Sequence, residues 1–349
     1  MTLITIVGAG MMGTALCWPL ADNGHSVRLV GTPLDEGIIQ RIRRDGIHPR
    51  LQRPLPAGIQ AYNHLELQQA LQGADVIASG VSSFGVDWFC EMVGPLLQPQ
   101  VPVIAVTKGL VDHPDGSLEI LPHYTRNRLP EALRSQVSLN AVGGPCIAHE
   151  LAARRQTAVV FCGAQASVLE HLKEVFTTSY YHIWTSTDEA GVEVCAALKN
   201  AYALAVGIVL GMMEIAGPDG LAHMYNPQAA VFAQSIAEMK CLLEILNASP
   251  ASTTWLPGPG DLYVTVFGGR TVRMGRLLGT GLNYPAARQR MAGETLESIE
   301  IIRRVGRALP RLEKRGLVKE SDFPLMRHLY QVVHEGATVN LPWEAFFNS

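Results

Sequence analysis

The run Val7-Gly8-Ala9-Gly10-Met11-Met12-Gly13 constrains this chain more than any other. It reads G-x-G-x-x-G, set between an apolar strand pattern at residues 3–7 and a helix-like run at residues 14–24. In a strand–turn–helix setting each glycine has a separate task. Gly8 permits a tight turn, Gly10 lets a pyrophosphate approach the backbone, and Gly13 lets helix and strand pack closely. The helix start at Met11 and Met12 adds free N–H groups and a positive dipole end. The bland alternative is an ordinary tight turn with no ligand.

A dinucleotide-type start predicts strands alternating with helices, and the sequence supplies them. Apolar runs at 27–30, 75–79, 103–107, 137–142, 158–162 and 181–184 are Val/Ile-rich without strict alternation. Strands covered on both faces read this way. The expectation is an α/β, doubly wound parallel sheet of Rossmann type over residues 1–185. The pattern changes at residue 186. Ser186 and Glu189 are spaced as a capping box, and a helical pattern follows to about Glu214. Asn226-Pro227 reads as a second helix start. From there to the C-terminus only helical segments are read, so residues 186–349 are expected to form an all-α domain.

Composition supports a globular chain and excludes several classes. Of 349 residues, 48% are hydrophobic and 17% charged, with a net charge of -3. That balance gives no reason to expect nucleic acid or an anionic membrane as partner. Six scattered cysteines with no C-x-x-C pair signal neither zinc nor a disulfide framework. No HExxH or comparable ligand spacing occurs, so no metal site is expected. With no secretory signal read at the start, the expected location is the cytoplasm.

The second strand ends in Gly31-Thr32-Pro33, where NAD-preferring sites often place an acid for the ribose hydroxyl. Asp35 and Glu36 come only later, and Thr32 with Arg41, Arg43 and Arg44 leaves room for NADP. The expected cofactor is therefore NAD(P)(H), with NADP favoured over NAD.

The stretch EVCAALKNAYALAVGI carries Lys199 and Asn200 inside an otherwise small, apolar helix. Val192, Cys195, Tyr202 and Val206 share the Lys199 face. Such a neighbourhood gives a snorkelling lysine little purpose. A desolvated amine suits general acid/base work, with Asn200 placed to orient it or a substrate oxygen. Asp261 and Thr265 follow a Gly-Pro-Gly turn, where Asp261 is either a functional carboxylate or a simple N-cap. Gly268-Gly269-Arg270-Thr271 bares backbone beside a guanidinium, as a phosphate site requires. Lys108 and Gly144 each follow a strand, at carboxyl ends where open α/β sheets bind ligands.

In this order the pieces resemble the NAD(P)-dependent glycerol-3-phosphate dehydrogenase family. GAGMMGTAL, VTKGL, GGPCIAHELA, GVEVCAALKNAYALAVGI, GPGDLYVT, GGRTVRMG and GETLESI carry the likeness nearly end to end. The resemblance implies interconversion of glycerol 3-phosphate and dihydroxyacetone phosphate by hydride transfer. It implies Lys199 as the proton-transferring lysine, with Asp261, Asn200 and Thr265 organising the catalytic end. It implies Lys108, Gly144, Thr265, Gly269, Arg270 and Thr271 at the substrate. It implies Gly8, Gly10, Met11, Met12, Gly13, Thr32, Lys108, Ala148, Arg270 and Glu297 at the cofactor. A homodimer would fit the family.

Three positions depart from the family pattern. Cys146 stands where serine is usual, Thr271 where asparagine is usual, and Gln234 near a usual arginine. They keep two alternatives open: a reductase of the same architecture for another polyol phosphate or a keto acid, and a non-catalytic NAD(P)-binding sensor.

Overall fold

The computed structural model describes residues 1–216 and 225–347. It divides into two units, residues 1–108 with 121–192, and residues 109–120 with the chain from Glu193 onward.

The first unit is built on an eight-stranded sheet. Its strands are β1 (Leu3–Val7), β2 (Ser26–Val30), β3 (Gln60–Tyr62), β4 (Val76–Ser79) and β5 (Val103–Ala105), followed by β8 (Leu139–Gly143), β9 (Thr157–Gly163) and β10 (Tyr181–Ser186). The spatial order is β10-β9-β8-β5-β4-β1-β2-β3. Strands β8-β5-β4-β1-β2-β3 are parallel throughout. Strand β9 runs antiparallel to β8 and parallel to β10, so the sheet is mixed at one edge. Side chains alternate between two apolar layers. Ile4 and Ile6 enter one layer with Trp18 and Phe161, and Val7 enters the other with Ile77 and Val103. Thr5 is buried on that second side because its hydroxyl donates to the Ala70 carbonyl at 2.6 Å. Short β3 lacks an apolar run and was not read from sequence.

Among the described residues, the second unit is helical apart from one hairpin. That hairpin, β6 (Leu110–Asp112) and β7 (Leu118–Ile120), is antiparallel. Leu110, Leu118 and Ile120 join the helical core. Arg307 grips both oxygens of Asp112, at 3.1 and 3.0 Å. The long helix Glu189–Ile215 is long and apolar enough to cross a membrane, but 83% of its apolar window is buried in the fold. It is a core helix. Its cap is Asp188, whose Oδ1 accepts from the Gly191 N–H at 3.0 Å. Ser186, read as the capping residue, instead accepts from the Asp188 N–H. The remaining helices include Tyr225–Ile245, Asp261–Val266, Gly269–Gly279, Glu297–Lys314 and Pro324–Tyr330.

Candidate active site

The first unit holds a nucleotide cradle. Gly8 has φ +106°, and a Cβ there would fall 2.7 Å from the Gly80 carbonyl carbon, so only glycine makes this turn. A Cβ on Gly13 would collide with the Gly8 carbonyl and lie 3.1 Å from Gly80 Cα. Gly10 differs, because a Cβ there would meet only the Gly80 carbonyl oxygen, at 3.7 Å. The protein's own packing does not demand glycine at that position, and close approach of a ligand does. Met11 and Met12 open the helix Met11–Ala15 with no side-chain cap on its free N–H groups. These features fit a dinucleotide pyrophosphate.

Thr32 and Asp35 form a capping box at the end of β2. Asp35 Oδ2 accepts from the Thr32 N–H at 2.9 Å, the Thr32 hydroxyl at 2.8 Å and the Ala9 N–H at 3.1 Å. This carboxylate folds back onto the glycine loop instead of standing free for a ribose. Of the arginines read as leaving room for a phosphate, Arg43 is tied to Glu66 and to the Ala61 carbonyl. Arg41 and Arg44 make exposed pairs with Asp45, at 3.5 and 3.2 Å. Exposed pairs of this kind are worth ~0–1 kcal/mol and give way readily.

Parallel neighbours β5 and β8 bring Lys108 and Gly144 together at their carboxyl ends. Lys108 Nζ donates to the Gly144 carbonyl at 3.3 Å. Gly144 has φ +110°. Ala148 opens the helix Ala148–Ala152, which packs against Met11–Ala15.

The second unit holds a lysine cluster. Val192, Cys195 and Tyr202 on the Lys199 face are fully buried and Val206 is 3% exposed. Lys199 Nζ lies 2.8 Å from Asp261 Oδ1, with the lysine side chain 12% exposed and the aspartate 1%. It also donates to the Thr265 hydroxyl at 2.7 Å, and that hydroxyl donates to the Asp261 carbonyl at 2.6 Å. Asp261 thus holds the amine from the first position of its helix, whose N-cap is Gly260. Asn200 follows Lys199 on the helix and is partly exposed.

Arg270 and Thr271 lie in the first turn of Gly269–Gly279. Gly269 has φ +91°, and a Cβ there or on Gly268 would meet nothing within 4 Å. The N-cap Gly268 offers no side chain, so the first N–H groups of the helix stand open beside the exposed Arg270. Glu297 begins the helix Glu297–Lys314. Gln234 is buried and spent on structure: it donates to Glu238 and accepts from the Phe347 N–H.

Both halves of the chain match one family by sequence. Residues 3–169 match the N-terminal model of NAD-dependent glycerol-3-phosphate dehydrogenase, and residues 188–343 match the C-terminal model. The chain belongs to this dehydrogenase family. It is 34% identical over 337 residues to the NADP(+)-dependent glycerol-3-phosphate dehydrogenase of Archaeoglobus fulgidus, covering 97% of this chain and 96% of that one. It is 31% identical to the glycerol-3-phosphate dehydrogenase [NAD(P)+] of Shouchella clausii, covering 96% and 93%. The crystal structure of the glycerol-3-phosphate dehydrogenase from Coxiella burnetii superposes with a TM-score of 0.80 at 26% identity, covering 99% and 97%.

Sequence reading missed the support beneath these residues. Asp35 had a signal, the Thr-x-x-Asp capping pattern. His48, which holds the glycine loop from the other side, had none.

Proposed function

We propose that this chain interconverts glycerol 3-phosphate and dihydroxyacetone phosphate with NAD(P)(H), using Lys199 as the proton-transfer group. The observation that carries the reading is the buried Lys199–Asp261–Thr265 cluster. The carboxylate and the hydroxyl oxygen fix the position of the ammonium. In the reducing direction, the bound cofactor supplies hydride to the carbonyl carbon. Lys199 gives its proton to the developing alkoxide, which general acid catalysis makes worth roughly 10²–10⁴ in rate. Asp261 keeps the lysine charged before the transfer, and Thr265 fixes its direction. The slight exposure of the amine lets water restore the proton. Asn200 orients the substrate hydroxyls.

Arg270 and the open N–H groups at Gly269–Thr271 hold the phosphate, so remote binding energy positions the carbonyl. Lys108 and Gly144 contribute to the substrate. Gly8, Gly10, Met11, Met12, Gly13, Thr32, Ala148, Arg270 and Glu297 contact the cofactor. NADPH is the favoured form, since Asp35 is engaged elsewhere. The reading includes a homodimer acting in the cytoplasm without membrane or nucleic-acid partners. The slightly acidic charge supports the lack of a nucleic-acid partner, and the burial of the long apolar helix supports the lack of a membrane span there.

Initial-rate oxidation of NADPH and NADH across a ketone panel tests this. Dihydroxyacetone phosphate should turn over far faster than dihydroxyacetone or any 2-keto acid. Faster turnover of a keto acid would make the chain a different reductase. Cofactor binding with no turnover on any ketone would make it a sensor.

A further inference from the structure

We propose that His48 and Asp35 are positioning residues that clamp the peptide of Ala9 at both ends and so set the shape of the cofactor loop. The proposal rests on the reading of Gly8–Gly13 as that loop. Ala9 is the residue between the first two glycines, and neither glycine has a side chain to anchor the turn. Its N–H donates to Asp35 Oδ2 at 3.1 Å. Its carbonyl faces His48 Nε2 at 3.0 Å. The two contacts come from separate segments, one at the end of β2 and one in the short strand Ile47–His48.

The geometry also fixes the tautomer of His48. Nδ1 faces two backbone N–H groups, of Arg50 at 3.2 Å and of Leu51 at 3.1 Å, so it must accept. Nε2 faces a carbonyl, so it carries the proton and donates. His48 is fully buried, so water cannot substitute for either partner. A second proton would have to sit on Nδ1, against two donors. Burial holds the imidazole below its ordinary value, and nearby Arg50 and His149 act the same way, while the Ala9 bond and Asp35 oppose them. At neutral pH the ring is therefore uncharged, with Nδ1 holding the Arg50 and Leu51 N–H groups and Nε2–H holding Ala9.

This differs from simple stability. A loop held at one peptide can lose its ligand-ready shape while the sheet stays folded. Its loss should appear in cofactor affinity and spare the lysine chemistry of the second unit.

The test is fluorescence titration of NADPH into the wild type, His48→Ala and His48→Gln, with unfolding midpoints recorded in parallel. His48→Ala should weaken NADPH roughly ten- to hundredfold, as losing a buried polar contact at a binding loop does. His48→Gln, whose amide can both donate and accept, should recover most of that loss. The KM for dihydroxyacetone phosphate at saturating NADPH should change less than about threefold. If His48→Ala does not fold, nitrogen NMR of the wild-type imidazole decides: Nδ1 should be unprotonated and Nε2 protonated at neutral pH. A protonated Nδ1, or wild-type affinity in a folded His48→Ala, overturns the proposal alone. A wild type that binds no dinucleotide overturns the cofactor reading and the clamp with it.

Discussion

Gly207 and Gly275 meet backbone to backbone. A Cβ on Gly275 would fall 2.9 Å from Gly207 Cα and collide with the Leu204 carbonyl. One turn along, Gly211 and Gly279 repeat the contact, with a Gly279 Cβ 2.9 Å from Gly211 Cα. These glycines lock the Lys199 helix to the helix that carries Arg270 in its first turn, so Lys199 and Arg270 sit on one packed helix pair. Gly→Ala inside a helix ordinarily gains ~1 kcal/mol. Here the overlap is with backbone, which no rotamer change relieves, and overpacking costs ~1–3 kcal/mol. Gly275→Ala should therefore lose stability in urea unfolding. It should also raise the KM for dihydroxyacetone phosphate severalfold while leaving NADPH affinity in place.

Lys199→Met keeps most of the length of the side chain and removes its amine and charge. Turnover should fall by ~10²–10⁴. NADPH affinity should stay within about threefold, because the cofactor cradle belongs to other residues. Near wild-type turnover would show that another group moves the proton.

What was legible in the sequence was local geometry carried by short segments. The glycine loop, the lysine on an apolar stripe and the arginine after two glycines are local patterns, and each stands where its pattern placed it. What it hid was pairing between distant segments. Gly207 and Gly275 look like ordinary helix glycines until their helices are packed together. The hairpin Leu110–Ile120 is too short to show a period, and its place in the second core is set by Arg307 and the arginines near it. Strand β9 looks parallel in a βαβ reading, but it follows β8 through a single short helix and runs back antiparallel.

Arg270→Ala should cost roughly ten- to hundredfold in affinity for dihydroxyacetone phosphate, the value of a charge-assisted contact of ~1.5–3 kcal/mol. Dihydroxyacetone, lacking the phosphate, should lose far less. Equal losses for the two ketones would remove the anchor role. Thr271→Asn offers an amide donor one residue away and should leave kcat/KM for dihydroxyacetone phosphate unchanged or raise it.

NADPH should be used at least as well as NADH in kcat/KM. Asp35 spends its Oδ2 on Ala9 and Thr32, so it is poorly placed to accept from a ribose hydroxyl. A clear NADH preference would mean that Asp35 turns outward or that Glu36 takes the role.

Glu238 gives the stability a pH dependence of definite sign. Its carboxylate is fully buried and accepts four hydrogen bonds. Two come from Gln234 and the Leu325 N–H, and two from the Tyr202 hydroxyl and the Met326 N–H. Burial outweighs those donors and pushes the group up to about 7 from 4.5. The folded state thus binds the proton more tightly than the unfolded state. Stability from this group is fully present below 4.5 and is lost as pH rises through about 7. The span corresponds to roughly 3 kcal/mol. Glu238→Gln mimics the protonated acid: its amide oxygen can serve Gln234 and Leu325, and its N–H can face the Tyr202 oxygen. Only the Met326 N–H loses its acceptor, at a cost of ~1–3 kcal/mol. Every other titrating group is the same in both proteins, so the difference in unfolding free energy isolates position 238. Measured in urea at pH 5, 6, 7 and 8, the glutamine variant should gain steadily on the wild type as pH rises. A difference that stays flat across that range would mean that the four donors, and not burial, set the charge of Glu238.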